Sequence, residues 1–341
     1  MKTRNLLLIN LLILAIFFNL ATCVVFGQKI RIAHEMNPDL SDPTHACCAT
    51  IKHFIELETD FEVEMFPGNV LGGAEAMFEQ LQDNDIQIAV VSVGGTSQFY
   101  NPISIYNMAF TYPDDFNIIH AIWDSEFTKN VFNDIEETTG VKPMSIIQRG
   151  GWAYLTNNKR PIRNLEDAKG LRVRGMDAAQ LVTFEALGGI GIQMPFAEVY
   201  TSLEAGIIDG QRNPLSIIYN NSLHEVQGFL TLPGQTIGNG LLLVSSDWYN
   251  NLTERDQKVI KKICDYGKQT ATGVSLLSEI ELVEELQKHM EFYYQTEEEF
   301  QEFREAALEK QIPWAIERWG EEFVMSYFEM VDNVTKEFEY K

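Results

Sequence analysis

The sequence predicts an α/β protein built from two domains. Between Lys29 and Val91 the chain alternates strand, helix, strand, helix, strand, and a second series of the same kind starts near Pro143. After Thr253 no proline occurs until Pro313, which leaves room for one unusually long helix able to reach both halves. Roughly 310 residues remain once the N-terminal segment is set aside, more than a single core usually holds.

Residues 1–27 begin with Lys2 and Arg4, continue through an apolar run from Leu6 to Leu20 and end in smaller residues. That is the layout of a secretory signal, so the mature chain is expected in the periplasm, starting near Gln28. Retention as a membrane anchor and lipid attachment at Cys23 are the alternatives; Thr22 fits poorly beside a modified cysteine. No later segment approaches the length of a transmembrane helix.

Lys29 to Ala33 alternates as a strand does, and the Asn37 to Pro43 turn leads into a helix from Thr44 to about Leu57. Phe61 to Met65 reads as a strand, Gly72-Gly73 opens a helix through Gln82, and the continuous apolar run Ile86 to Val91 reads as a buried strand. In the second series, Met144 to Gln148, Ala153 to Thr156 and Leu171 to Arg174 are expected strands. Helices are expected at Asn164 to Ala168, Ala178 to Leu187 and Glu198 to Glu204. Leu241 to Ser245 is a further strand that returns the chain to the first sheet. A helix from Glu254 to Lys288 would reach about 50 Å at 1.5 Å per residue, with Gly267 and Gly273 as places to bend, and the Glu-rich tail reads as two helices. Domain I is assigned 28–150 plus 237–280, and domain II 151–236 plus 281–341.

The formal charge is -23, and -25 once Lys2 and Arg4 leave with the signal. So acidic a chain repels nucleic acid and anionic membrane surfaces. The mature cysteines, Cys47, Cys48 and Cys264, do not describe a disulfide framework and are expected as buried free thiols. The spacing of His45, Cys47, Cys48 and His53 fits no standard zinc pattern, and neither metal nor cofactor is expected. There is no complete dinucleotide fingerprint, GxSxG elbow, P-loop or HExxH.

The chemistry concentrates between Lys169 and Pro214. Lys169-Gly170-Leu171-Arg172-Val173-Arg174 supplies cations, Pro195-Phe196-Ala197-Glu198-Val199-Tyr200 an aromatic wall, and Asp209-Gly210-Gln211-Arg212-Asn213-Pro214 an amide. A guanidinium fork matches a carboxylate in geometry and charge. Arg172 and Arg174 alternate with apolar residues and share a strand face; by spacing alone either serves equally in a structural ion pair. Asn213 suits a carboxylate or a turn, and Phe196 and Trp152 suit a pocket wall or a core. Glu35 and Ser92 directly follow strands, where an open α/β sheet gathers its ligand.

These segments resemble the substrate-binding proteins of tripartite ATP-independent periplasmic (TRAP) transporters, the dicarboxylate-binding-protein-like branch. Phe66-Pro67 through Leu71-Gly72, Asp85-Ile86 and Lys159-Arg160-Pro161-Ile162 add to the likeness, which covers nearly the whole mature chain. The resemblance implies a two-domain periplasmic-binding-protein-like fold, α/β throughout, with a ligand cleft between the domains and a long bracing helix. It implies a non-enzymatic, monomeric receptor that delivers a small organic acid to membrane permease subunits. Arg174 would grip the carboxylate, Asn213 and Phe196 would complete that side, Arg172 would be structural, and Glu35 and the Ser92 to Gly95 loop would come from the first domain. Two departures stand out. Many members carry a second arginine where this chain reads Gly151-Trp152-Ala153-Tyr154, so a single charged clamp with Trp152 and Tyr154 beside it is expected. Arg212 stands where glutamate is common, altering the rim or facing solvent. An exported enzyme on a binding-protein scaffold and a ligand-presenting sensory receptor are the alternative readings.

Overall fold

A computed structural model describes residues 29–339, and the expected signal segment lies outside the described residues. The first series forms β1 (Lys29–His34), α1 (Pro43–Glu58), β2 (Glu62–Phe66), α2 (Ala74–Gln82) and β3 (Ile88–Ser92). β1 pairs in parallel with both β2 and β3. The Asp42 side chain starts α1 by accepting from the Thr44 and His45 amides at 2.8 and 3.0 Å, with Pro43 in the first turn, where its missing N–H costs nothing. Helices α3 (Phe116–Trp123) and α4 (Glu126–Thr139) then lead to β4 (Val141–Asn157).

β4 differs from expectation, because Met144 to Gln148 and Ala153 to Thr156 belong to one 17-residue strand. Its partner β8 (Phe229–Ser245) is equally long and antiparallel, where only the Leu241 to Ser245 end is legible as a strand. Pro233, Gly234, Gly238 and Gly240 break the apolar pattern over the rest of β8. Gly150 and Gly151 do not separate two strands but form a bulge: Gln148 faces Asn239 and Trp152 faces Ile237, so three residues of β4 stand opposite Gly238 alone. Gly150 sits at φ 123°, and a Cβ there would lie 2.4 Å from Pro214.

β5 (Arg172–Gly175), α5 (Ala178–Ala186), β6 (Ile190–Gln193) and β7 (Gly210–Asn213) extend the sheet. The order is β2-β1-β3-β8-β4-β7-β5-β6, with β9 (Glu291–Tyr294) paired to β8. β3 runs antiparallel to β8, and β4 antiparallel to β7 and β8, so the sheet is mixed and its two parallel portions are joined through the antiparallel β8–β4 pair. The expected boundaries at 150/151 and 236/237 fall inside β4 and β8.

Apolar clusters lie on both faces of each portion of the sheet. On one side of the first portion α1 packs Ile51 and Ile55 with Ile260 and Ile263 of α6 (Glu254–Leu286). Across β4, α5 packs Phe184 with Phe303 of α7 (Glu297–Trp319). α6 runs unbroken for 33 residues, about 50 Å, and passes Gly267 and Gly273 without interruption. Gly267 serves contact instead of bending, since a Cβ there would lie 2.7 Å from Ile51. Leu286, at the far end of the same helix, packs with Val199 and Leu203, so α6 reaches apolar clusters on both portions of the sheet.

The C-terminal segment contributes to two of the apolar clusters, α7 to the one that holds Phe184 and the last helix to the one that holds Tyr106. α8 (Glu321–Glu339) packs Val324 and Tyr327 into one cluster with Tyr106 and Ile119. The aromatic rows explain it: Phe127 meets both Phe323 and Tyr327, and Tyr106 meets Tyr327 edge-on. Cys47, Cys48 and Cys264 are buried free thiols.

Glu279 of α6 lies against Gly151 at the bulge. Its Oε2 accepts from the Tyr154 hydroxyl at 2.7 Å, while Oε1 is buried without a partner. Burial lifts its carboxyl from 4.5 to about 7, opposed by the Tyr154 hydrogen bond. The folded state therefore holds this proton more tightly than the unfolded chain, and stability contributed by Glu279 falls as pH rises from about 4.5 to about 7. Urea unfolding across that window should show this slope, and Glu279→Gln should flatten it.

Candidate ligand-binding site

The carboxyl ends of β1, β3, β5 and β7 converge on the β4 bulge and enclose a cavity of about 70 Å³. Glu35 follows β1, Ser92 ends β3, Arg174 lies in β5 before Met176, and Arg212 and Asn213 end β7; all of them line it. Strand ends supply such a site because a parallel sheet finishes there and its connections diverge.

Arg174 is 4 % exposed. Its Nε donates to the Met194 carbonyl at 3.0 Å, its guanidinium lies 5.9 Å from the centre of the Phe196 ring, and Nη2 is buried with no partner. Burial lowers its pKa to about 10, with Glu35 and Asp177 opposing the shift. It stays cationic at neutral pH, and among the described residues nothing accepts its free N–H. A buried charged donor left this way is costly until an anion fills the space.

Arg172 has a different task. It grips Asp209 through Nε–Oδ2 at 3.0 Å and Nη2–Oδ1 at 2.8 Å, and also donates to the Gly206 carbonyl at 2.7 Å. It does not line the cavity, in keeping with the scaffold role that the resemblance implies for it. Asn213 does line it, with Nδ2 donated to Gln211 Oε1. Ser92 donates to Met176 Sδ at 3.1 Å and accepts from the Gly95 amide, so the end of β3 meets the residue that follows β5. Asn107 does likewise with Asp177.

Three expectations change. Trp152 is not in this cavity: past the bulge it enters a separate cleft of about 570 Å³ with Tyr112, Tyr154 and Pro233, and its ring lies 6.3 Å from Phe116. Tyr154 is likewise turned away, toward Glu279. Arg174 shares the cavity wall with Arg149, which the bulge directs there, with Nη2 3.5 Å from Glu35 and Nε donating to Thr44 Oγ1 at 3.2 Å. Arg212 neither sits on a rim nor faces solvent; it is 5 % exposed and lines the cavity. Arg149 was detectable in principle: a cation just before Gly-Gly within an apolar run marks a bulge that re-aims its neighbours. Thr236, with its hydroxyl buried and unpartnered against the cavity, carries no such mark.

A chain with this sheet, this brace and a cation-lined cleft between two domains is a solute-binding protein. It belongs to the bacterial extracellular solute-binding proteins of family 7, whose profile matches residues 40–311. Among its relatives, the ectoine/5-hydroxyectoine-binding periplasmic protein UehA of Ruegeria pomeroyi is 25% identical over 76% of this chain and 77% of its own length. The C4-dicarboxylate-binding periplasmic protein DctP of Shewanella loihica is 25% identical over 72% and 73%. The crystal structure of the sugar acid binding protein DctPAm from Advenella mimigardefordensis, in complex with galactonate, superposes with a TM-score of 0.84 at 23% identity, covering 90% of this chain and 99% of that one. The family is one of binding proteins and not of enzymes, which removes the exported-enzyme alternative. No helix among the described residues is long and apolar enough to cross a membrane.

The Arg172–Asp209 pair separates scaffold from site experimentally. Hydrogen bonds from Arg172 hold the Asp209 carboxyl down at about 2 against an ordinary 3.8. Its contribution to stability is present above about pH 4 and is lost as pH falls toward 2. Asp209→Asn should cost about 1 kcal/mol, weaken that acid dependence, and leave ligand affinity unchanged in calorimetry.

Proposed function

We propose that this protein is exported to the periplasm by its N-terminal signal, captures a small organic acid between its domains as a monomer, and delivers it to a TRAP-type membrane permease. The observation that carries the reading is the buried, unpartnered Nη2 of Arg174 in a cavity at the strand ends. Arg174 grips the carboxylate, Phe196 covers it, Asn213 orients it, and Glu35 and Ser92 bring the first domain's half of the site.

Several relatives support an acid as ligand: the Shewanella protein is named for C4-dicarboxylates, a sialic acid-binding periplasmic protein, SiaP of Vibrio cholerae, is 25% identical over 83% of this chain, and the Advenella structure holds galactonate. Domain I consists of 28–150 with 237–280 and the last helix, and domain II of the remainder up to α7, hinged where β4 and β8 cross. Binding energy selects the closed arrangement because each domain carries only half of the contacts.

A calorimetric screen of short carboxylic, hydroxy, keto and sugar acids should reveal a ligand. Arg174→Ala should then weaken it by about 2 to 5 kcal/mol, the cost of leaving a desolvated charge without its partner. Unchanged affinity in that variant would overturn the assignment.

A further inference from the structure

The cleft that receives Trp152 lies back to back with the cavity of Arg174. Ala153 of β4 pairs with Thr236 of β8, and both line the Arg174 cavity. Side chains alternate along a strand, so their neighbours Trp152, Tyr154 and Gln235 turn to the other face and line the cleft of about 570 Å³. That volume falls within the roughly 300 to 1,000 Å³ of small-molecule sites.

The walls of the cleft offer ring surface. The Tyr112 hydroxyl donates to the Tyr106 carbonyl at 3.1 Å and the Tyr154 hydroxyl to Glu279 at 2.7 Å, so each residue leaves its ring rather than its polar tip to the cleft. Phe300 adds a third ring, held edge-on to Phe110 with centres 5.3 Å apart.

Three glutamines supply the polar groups. Gln301 is engaged at both ends: its Nε2 donates to Glu297 Oε1 at 2.7 Å and its Oε1 accepts from Arg304 at 3.4 Å, which ties these rim charges to one another. Gln235 and Gln295 differ. Gln235 is 3 % exposed and its Oε1 is buried with no partner among the described residues; Gln295 Nε2 is likewise buried and unpartnered. Backbone bonds hold both at the same bend of β8, since the Gln295 amide donates to the Leu232 carbonyl and the Phe110 amide to the Gln235 carbonyl, each at 2.7 Å. A buried acceptor and a buried donor left unmade cost free energy, which a ligand carrying the complementary pair recovers.

We propose that this cleft is a second binding site, for a flat, uncharged heteroaromatic ring that carries an N–H and a C=O side by side. Ring lactams of the nucleobase kind and aromatic carboxamides share that chemistry. The ring stacks on the aromatic walls, its N–H meets Gln235 Oε1, and its C=O accepts from Gln295 Nε2. A formal charge of -23 selects against acids here, because the cleft floor holds no cation of the kind that lines the Arg174 cavity. The site does not rest on the organic-acid reading above. The competing explanation is a cleft whose glutamines serve the fold alone.

The test compares each probe with an analogue that has lost its N–H: uracil with 1,3-dimethyluracil, and nicotinamide with 3-acetylpyridine. By calorimetry on the mature protein near neutral pH, at least one parent should bind about fivefold or more tighter than its analogue, the worth of one hydrogen bond. A response from uracil alone assigns ring lactams, and one from nicotinamide alone assigns carboxamides. Gln235→Leu should bring the ratio close to one while leaving the analogue's affinity nearly unchanged, whereas Gln295→Leu should weaken parent and analogue alike. Arg174→Ala should change none of these affinities. Equal affinity within both pairs, no binding at millimolar concentration, or loss of binding in Arg174→Ala would each overturn the proposal, and none of them touches the organic-acid reading. The comparison within each pair uses the unaltered protein, so it decides the matter even where a glutamine variant does not fold.

Discussion

The long antiparallel pair of β4 and β8 is the constraint on which the rest of the molecule depends. Both strands are 17 residues long, and their ladder, interrupted by three register shifts, joins the two parallel portions of the sheet. A continuous ladder alone would leave a flat wall. The bulge opposite Gly238 breaks it locally, bends β4 and turns Arg149 toward the cleft. Close contacts keep the break in place: Pro214 on Gly150, Glu279 against Gly151, and the Ser275 hydroxyl accepting from the Gly150 amide at 3.0 Å. The brace helix and the end of β7 thus hold the point where the domains join and where the cavity wall turns.

The electrostatics are local against an opposing background. A chain of formal charge -23 repels anions at a distance, yet its cavity gathers three buried guanidiniums. Among the described residues only Arg149 is paired directly with a carboxylate, and at 3.5 Å that pair is itself loose. The remaining cost of burying charge is left for a ligand to offset, which gives affinity a source and selectivity a basis. The neighbouring His34 stays uncharged, since burial depresses its pKa to about 3, so the wall behind Arg149 adds no further cation.

Much of the fold was legible because regular elements have short-range causes. The alternation in Lys29 to Ala33, the apolar run before Ser92 and the proline-free stretch after Thr253 each specify an element through local sterics and burial. Long β8 was not legible, because glycines and a proline interrupt its pattern and only pairing with β4 on one side and β3 on the other holds it extended. The placement of α8 was hidden for a related reason: its aromatic row suits any apolar partner, and the first domain's Phe127 and Tyr106 happen to be within reach.

For the site, the sequence by itself pointed to strand ends and to the motif that carries them, so Arg174, Asn213, Phe196, Glu35 and Ser92, which share one cavity wall, were singled out without coordinates. It could not determine where side chains point once a ladder is broken. A two-residue surplus in β4 sent Arg149 into the cavity and Trp152 out of it, and the face that Arg212 presents follows from how β7 registers against β5. Those outcomes belong to tertiary structure because they depend on hydrogen bonds between strands far apart in the chain, and no local propensity encodes such a register.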